Sequence, residues 1–148
     1  MTDAQYRIWN LSIGWMVFAI ALFTYGSTVE PTASYWDCSE YIATSAKLQI
    51  GHPPGAPFFQ MMGAFFALFA SAPEKIALMV NYMSVFSSAF TILFLFWTLT
   101  LLFKKLPFFS SPQTVSERIG YFGSAVVGAL AFCFSDSFGF NAVEAEVY

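Results

Sequence analysis

The stretch 58–71, FFQMMGAFFALFAS, decides how many times this chain crosses a membrane. Its 14 residues are mostly apolar and aromatic, and they begin directly after Pro57. A run of roughly 10 to 14 apolar residues is too short to span a bilayer and is typical of an interfacial or re-entrant helix. We therefore predict that 58–71 lies along the membrane, and the alternative is a fourth crossing helix.

The rest of the chain is also unusually apolar. Hydrophobic residues make up 57% of the sequence, aromatic residues 20% and charged residues 10%, whereas a soluble domain carries about 25% charged residues. This composition predicts an integral membrane protein with the lipid bilayer as its surroundings. The net charge is -3 and the sequence contains no basic run, which argues against nucleic acid as a partner.

Three longer apolar segments predict transmembrane helices. They lie at about 11–29, 73–103 and 119–138. The loop 30–72 follows the first of them, and in it we predict an amphipathic helix at about 36–50 and the juxtamembrane helix at 58–71. The predicted fold is therefore all-α, with three transmembrane helices and two short helices in the first outer loop, forming a single membrane module over 1–148. In the second span, the polar residues of the first half should face protein, since lipid offers such groups no partners. They are Asn81, Tyr82, Ser84, Ser87 and Ser88.

Capping-box patterns predict the starts of three helices. They are Ser34-x-x-Asp37, Ser71-x-x-Glu74 and Thr114-x-x-Glu117. Pro73 supports the second start, because proline is favoured in the first turn of a helix.

The distribution of basic residues predicts which side of the membrane each loop faces. With three spans, four bases lie on one side and two on the other. The four are Arg7, Lys104, Lys105 and Arg118, and the two are Lys47 and Lys75. By the positive-inside rule the N-terminus is cytoplasmic, and Asp37 shares the opposite face with Glu146. A fourth crossing at 58–71 would put as many bases inside and would separate these two acids.

Asp37 and Glu40 are the first candidate site residues. At helical spacing they fall on one face of the predicted helix, with Thr44 and Lys47. A carboxylate in this position could act as a general base and accept a proton from an attacking hydroxyl. The alternative is structural, with Asp37 as the capping partner of Ser34 and Glu40 as a solvated neighbour.

Glu144 and Glu146 follow the last predicted span. In an extended chain both side chains would point the same way, whereas in a helix they would diverge. Carboxylates this close to a membrane need pairing, solvation or a function. An ordinary polar loop is the alternative.

His52 begins the turn HPPGAP at 52–57. It could donate a hydrogen bond to a phosphate or a sugar hydroxyl, or it could simply fix the turn, which prolines stiffen and Gly55 leaves free. The sequence has no paired His or Cys spacing, so we predict no metal-binding residues. The use of a divalent metal as a cofactor is the alternative.

Together these motifs resemble a known family. WDCSEY at 36–41, a short helix, and GHPPG at 51–55 leading into an apolar helix are similar to the first periplasmic or lumenal loop of GT-C fold glycosyltransferases. The pattern is most similar to bacterial integral membrane proteins related to protein O-mannosyltransferases. NAVEAEVY at 141–148 resembles a second motif of those proteins.

The resemblance implies a multi-pass enzyme of the bacterial inner membrane. Such an enzyme moves a sugar from a polyprenyl-phosphate carrier to a hydroxyl of a protein, lipid or glycan acceptor, on the non-cytoplasmic face. It implies that Asp37 and Glu146 are catalytic and that Glu40, His52 and Glu144 bind substrate. Glu40 departs from the adjacent Asp-Glu pair of the eukaryotic mannosyltransferases, and the turn lacks the leucine that precedes their glycine.

The chain has few cations with which to bind a departing phosphate. On the outer face only Lys47 and Lys75 are available, and the sequence stops at 144–148 without a polar tail. We therefore expect the N-terminal part of a longer enzyme, inactive by itself. The alternatives are a non-enzymatic membrane subunit or scaffold, and a transporter of a lipid-linked substrate. A transporter should carry intramembrane charges along its path, and the predicted spans contain almost none.

Overall fold

The computed structural model describes residues 2–34, 37–53, 55–106 and 114–145. Within these ranges the regular structure is entirely helical. The helices are α1 (Asp3–Thr28), α2 (Cys38–Lys47), α3 (Pro57–Ala67), α4 (Ile76–Lys105), α5 (Val115–Cys133) and α6 (Asp136–Ala142), and a 3-10 turn at Pro73–Lys75 precedes α4. The predicted all-α fold is confirmed.

The described residues contain two helices that are long and apolar enough to cross a membrane. They are α1, with 26 residues, and the stretch Pro73–Lys105, with 33 residues. The pair α5 and α6 forms a third candidate span, bent by 68° at a short break. The described part of the chain therefore has two candidate spans, or three if the bent pair counts as one, which makes it a membrane protein.

The predicted juxtamembrane helix at 58–71 corresponds to α3, which spans Pro57–Ala67. It contains 11 residues and so rises about 16 Å, roughly half the thickness of the hydrocarbon core. A helix of this length does not reach across a bilayer. Its proline at the first position, Pro57, sets the start of the helix, because proline tolerates the missing backbone N–H there.

One of the three predicted capping boxes is confirmed and two are wrong. The Thr114 hydroxyl accepts a hydrogen bond from the Glu117 N–H at 3.2 Å, and the Glu117 carboxylate accepts one from the Thr114 N–H at 3.2 Å. The N-cap position of α2 is Asp37 itself, and that of the 3-10 turn is Ala72; neither side chain caps its helix. Both starts lie after the serine that the pattern indicated, so the serine hydroxyl is out of register with the first turn.

Contacts divide the chain into two compact units. The first comprises 1–23 and 89–138, and its core includes Val17, Phe96 and Ala125, all fully buried. The Tyr121 ring packs edge-on against Tyr6 at 6.1 Å between centroids, and the Tyr121 hydroxyl donates to the carbonyl of Thr100. This unit is thus held by aromatic packing between helices.

The second unit comprises 24–88 and 139–148. It contains α2, α3 and the first part of α4. Its core is formed by Cys38, Ile42, Val80 and Ala145, with Phe59, Ala67, Ile76 and Ala77 packed against it. All candidate site residues that the structure describes belong to this unit.

Candidate functional site

A hydrogen-bonded pair of Glu40 and His52 lies at the centre of the candidate site. Glu40 is in the first turn of α2, and His52 is in the loop that connects α2 to α3. The Glu40 carboxylate accepts the backbone N–H of His52 at 2.6 Å through Oε1, and Oε2 lies 2.9 Å from the imidazole Nδ1. The two-point contact closes the loop back onto the start of α2.

The pair alters the titration of both side chains. The hydrogen bond from the His52 backbone, followed by that from its imidazole, lowers the pKa of the Glu40 carboxyl. The hydrogen bond to Glu40, together with its negative charge, raises the pKa of His52. The Glu40 side chain is 39% exposed and that of His52 is 48% exposed, so water screens much of this interaction. The pair therefore presents an imidazolium donor at the surface more readily than an isolated histidine would.

The local backbone explains how the loop reaches Glu40. Leu48 ends α2 in the left-handed conformation, at φ 50°. Gly51 then passes close to the site: a Cβ on it would lie 3.0 Å from Glu40 Oε1 and 3.1 Å from Gln60 Nε2. Gly55 has a φ of 72°, which favours glycine, and leads the chain into α3.

Gln60 supports the site from α3. Its side chain is 7% exposed, and its amide donates to the Thr44 hydroxyl of α2 at 3.1 Å. A buried amide requires such a partner. Gln60 is not among the predicted site residues, although an amide within the apolar stretch 58–71 is a signal that a hydrogen-bond partner exists.

Asp37 occupies the N-cap position of α2 and is half-buried. One potential ligand atom from each of Asp37, Glu40 and His52 lies within 4.8 Å of the others. Carboxylate oxygens and imidazole nitrogens are common ligands of divalent cations in proteins. These three side chains could therefore hold a divalent metal. No residue spacing indicates this grouping, because the three residues come from a helix cap, a first turn and a distant loop.

The segment with Glu144 and Ala145 packs in the same unit as Asp37. Glu144 is 6% exposed, and the N–H of the next residue, Ala145, donates to Asn81 Oδ1 at 3.1 Å. Ala145 also shares a core cluster with Cys38, the residue after Asp37. The structure thus brings together the chain segments that carry Asp37 and Glu144. Glu146 lies outside the described residues, so its placement stays a prediction.

The prediction that the polar residues of α4 face protein holds for Ser84, which is 8% exposed, but not for Ser87, which is exposed and donates to the Met83 carbonyl of its own helix at 2.9 Å. Asn81 is fully buried, as predicted. Its amide nitrogen donates to the carbonyls of Glu30 and Thr32, at 2.8 and 3.0 Å. These partners could not be predicted from the sequence, because they belong to irregular segments far from Asn81 along the chain.

The fold and the site define a helical membrane protein with acidic and imidazole side chains grouped in the loop after its first long helix. Residues 37–148 match the family described as the Protein O-mannosyl-transferase TMEM260 N-terminal domain. The match covers most of the chain, and the chain therefore belongs to this family. The match also confirms the resemblance to protein O-mannosyltransferases. No curated protein and no solved structure matches the chain. The GT-C fold and a bacterial origin stay predictions.

Proposed function

We propose that this chain is the N-terminal part of a membrane glycosyltransferase. The enzyme transfers a sugar, mannose by analogy with its family, from a polyprenyl-phosphate carrier to an acceptor hydroxyl. The reaction takes place on the non-cytoplasmic face of the bacterial inner membrane, with the N-terminus in the cytoplasm. The observation that carries the proposal is the grouping of Asp37, Glu40 and His52 in a chain of the O-mannosyltransferase family.

The proposed chemistry is a single displacement with inversion. A bond forms between the acceptor oxygen and the anomeric carbon of the sugar, while the bond from that carbon to the phosphate oxygen breaks. The acceptor hydroxyl loses its proton to the Asp37 carboxylate, and the phosphate leaves with the bonding electron pair. Because the lipid phosphate is a good leaving group held at the membrane surface, the protein mainly has to orient the two substrates and stabilise the departing charge.

Glu40 and His52 have a different role in this proposal. Both oxygens of Glu40 are engaged by His52, so Glu40 orients the imidazole and is a weaker candidate for the base. His52, held toward its cationic form, donates a hydrogen bond to a phosphate oxygen or a sugar hydroxyl. Glu144 and Glu146 contact the sugar or the acceptor, and Glu146 is the proposed second acid.

Replacement of Asp37 in the complete protein tests the proposal. The probe is polyprenyl-phosphate-[14C]mannose with a mixture of peptides rich in serine and threonine, supplied to membranes that contain Asp37→Asn. The matched control is Glu74→Gln, which neutralises an exposed carboxylate at the 3-10 turn. A glycosyltransferase loses most of its transfer in Asp37→Asn and none in the control. Equal transfer by both variants would show that Asp37 is not the base, and absence of transfer by the wild-type protein would contradict the proposed function.

A further inference from the structure

All the hydrogen-bonding capacity of the Asn81 side chain is directed at segments outside its own helix. Its two amide protons go to the carbonyls of Glu30 and Thr32. Its Oδ1 accepts from the Ala145 N–H at 3.1 Å and from the Cys38 thiol at 3.9 Å. An asparagine amide has two donors and one oxygen with two lone pairs, so the set is complete.

We propose that Asn81 is a positioning residue for the transfer reaction. It fixes the segment that carries Glu144 and Ala145 against the start of α2, where Asp37 lies. This inference rests on the proposed function, and it adds a residue that touches neither the sugar nor the phosphate.

The bonded segments flank the candidate site. Glu30 and Thr32 belong to the chain that leads from α1 toward Asp37, and Ala145 directly follows Glu144. A backbone hydrogen bond from the Glu30 N–H to the Val143 carbonyl, at 3.2 Å, joins the same two segments. Asn81 lies behind this pairing and is 0% exposed, so water cannot replace its bonds without opening the core.

Two variants remove different parts of the arrangement. Asn81→Leu keeps a similar branched shape and removes every hydrogen bond. Asn81→Asp keeps an oxygen for the Ala145 N–H but turns a second oxygen toward the Glu30 and Thr32 carbonyls, which repel it. We expect both variants to lower kcat by about 10- to 100-fold, the effect of a displacement of about 1 Å at a site. KM for the polyprenyl-phosphate mannose donor should change by less than about threefold, because the groups that contact it remain.

A covalent tether separates positioning from general stability. In Glu30→Cys/Val143→Cys, a short bis-methanethiosulfonate reagent links the two segments that the backbone hydrogen bond joins. The crosslink is identified by mass spectrometry of the linked peptides. If Asn81 acts by holding these segments together, Asn81→Leu lowers the crosslink yield, and the completed crosslink restores kcat toward that of the tethered parent. The control is Ser84→Ala, which removes a buried hydroxyl one turn further along α4 and should alter neither the yield nor kcat.

The outcomes separate the two proposals. Wild-type kcat in both Asn81 variants, together with loss of transfer in Asp37→Asn, overturns the role of Asn81 and leaves the proposed function standing. A lowered kcat that the tether does not restore also overturns the positioning role. Absence of donor-dependent transfer by the wild-type complete protein overturns the proposed function and with it the reaction that Asn81 would serve. If Asn81→Leu does not accumulate in membranes, Asn81→Asp with the same tether gives the same decision.

Discussion

The Glu40 carboxylate lies 2.6 Å from the backbone nitrogen of His52 and 2.9 Å from its imidazole Nδ1. One side chain of α2 thus holds both the backbone and the ring of a loop residue twelve positions later. The contact fixes the imidazole relative to Asp37 without deep burial, since both partners are partly exposed. The candidate site therefore depends on a surface hydrogen-bond pair, and its properties should follow the ionisation of that pair.

Removal of the Glu40 carboxylate should lower the pKa of His52 toward the ordinary value of 6.5. The hydrogen bond to Glu40 is the main cause of the raised pKa, and the charge of Asp37 is a smaller one. Glu40→Gln should thus produce a larger fall than Asp37→Asn. The measurement is a pH titration of the His52 imidazole by NMR, with the resonance assigned from its loss in His52→Gln. An unchanged titration in Glu40→Gln would show that the pair does not form.

The pair should hold the loop best in mildly acidic solution. The pKa of His52 is raised on folding. Its contribution to the stability of the folded loop is therefore complete below pH 6.5, the unfolded pKa, and is lost as the pH rises through the folded pKa. The pKa of Glu40 is lowered on folding. Its contribution to the stability of the folded loop is therefore complete above pH 4.5, the unfolded pKa, and is lost as the pH falls through the folded pKa. Protection of the His52 amide from hydrogen exchange, corrected for the intrinsic rate, should peak between these limits. Protection that rises steadily up to pH 9 would contradict this account.

Gly51→Ala should disturb the pair without changing any charge. The added Cβ would lie 3.0 Å from Glu40 Oε1 and 3.1 Å from Gln60 Nε2. Glu40 must move by a few tenths of an ångström to accept it, which lengthens its bonds to His52. We expect a lower pKa for His52 and reduced transfer in the complete protein. Gly120→Ala is the control, because a Cβ there meets no atom within 4 Å; equal results for the two variants would refute the close approach.

Gln60→Leu should weaken the attachment of α3 to α2. The variant removes the 3.1 Å hydrogen bond to the Thr44 hydroxyl and replaces the amide with an apolar side chain of similar size. A neutral hydrogen bond contributes about 0.5–1.5 kcal/mol, so the free energy of unfolding should fall by about that amount. Thermal unfolding in detergent measures the change. Met61→Leu is the control on the exposed side of the same helix. A variant as stable as this control would argue against the bond.

Thiol labelling tests the proposed orientation. Glu74→Cys and Lys105→Cys place exposed thiols near opposite ends of the long helical stretch Pro73–Lys105. A membrane-impermeant maleimide added to sealed right-side-out vesicles should label the first variant and leave the second unlabelled. The native cysteines, Cys38 and Cys133, are buried and give a low background. The reverse pattern would place the N-terminus outside.

The features predictable from the sequence are those set by local composition. Apolar length was enough for α1, α4 and the short α3, and Thr114 caps its helix as its pattern indicated. The predicted span 119–138 was continuous, whereas the structure breaks it between α5 and α6. The same pattern at Ser34 was wrong, because α2 begins at Cys38 with Asp37 as its N-cap residue. The pairing of Glu40 with His52 depends on the turn between them. The partners of Asn81 depend on tertiary structure, which no spacing in the sequence records.

The most direct test of the account compares Asp37→Asn with Asp37→Glu in a single-turnover assay of mannose transfer by the complete protein. A general base contributes about 10²- to 10⁴-fold to a reaction rate. Asp37→Asn should therefore lose at least about 100-fold, and Asp37→Glu, which keeps a displaced carboxylate, should retain part of the rate. Wild-type rates in both variants would show that transfer does not use this carboxylate.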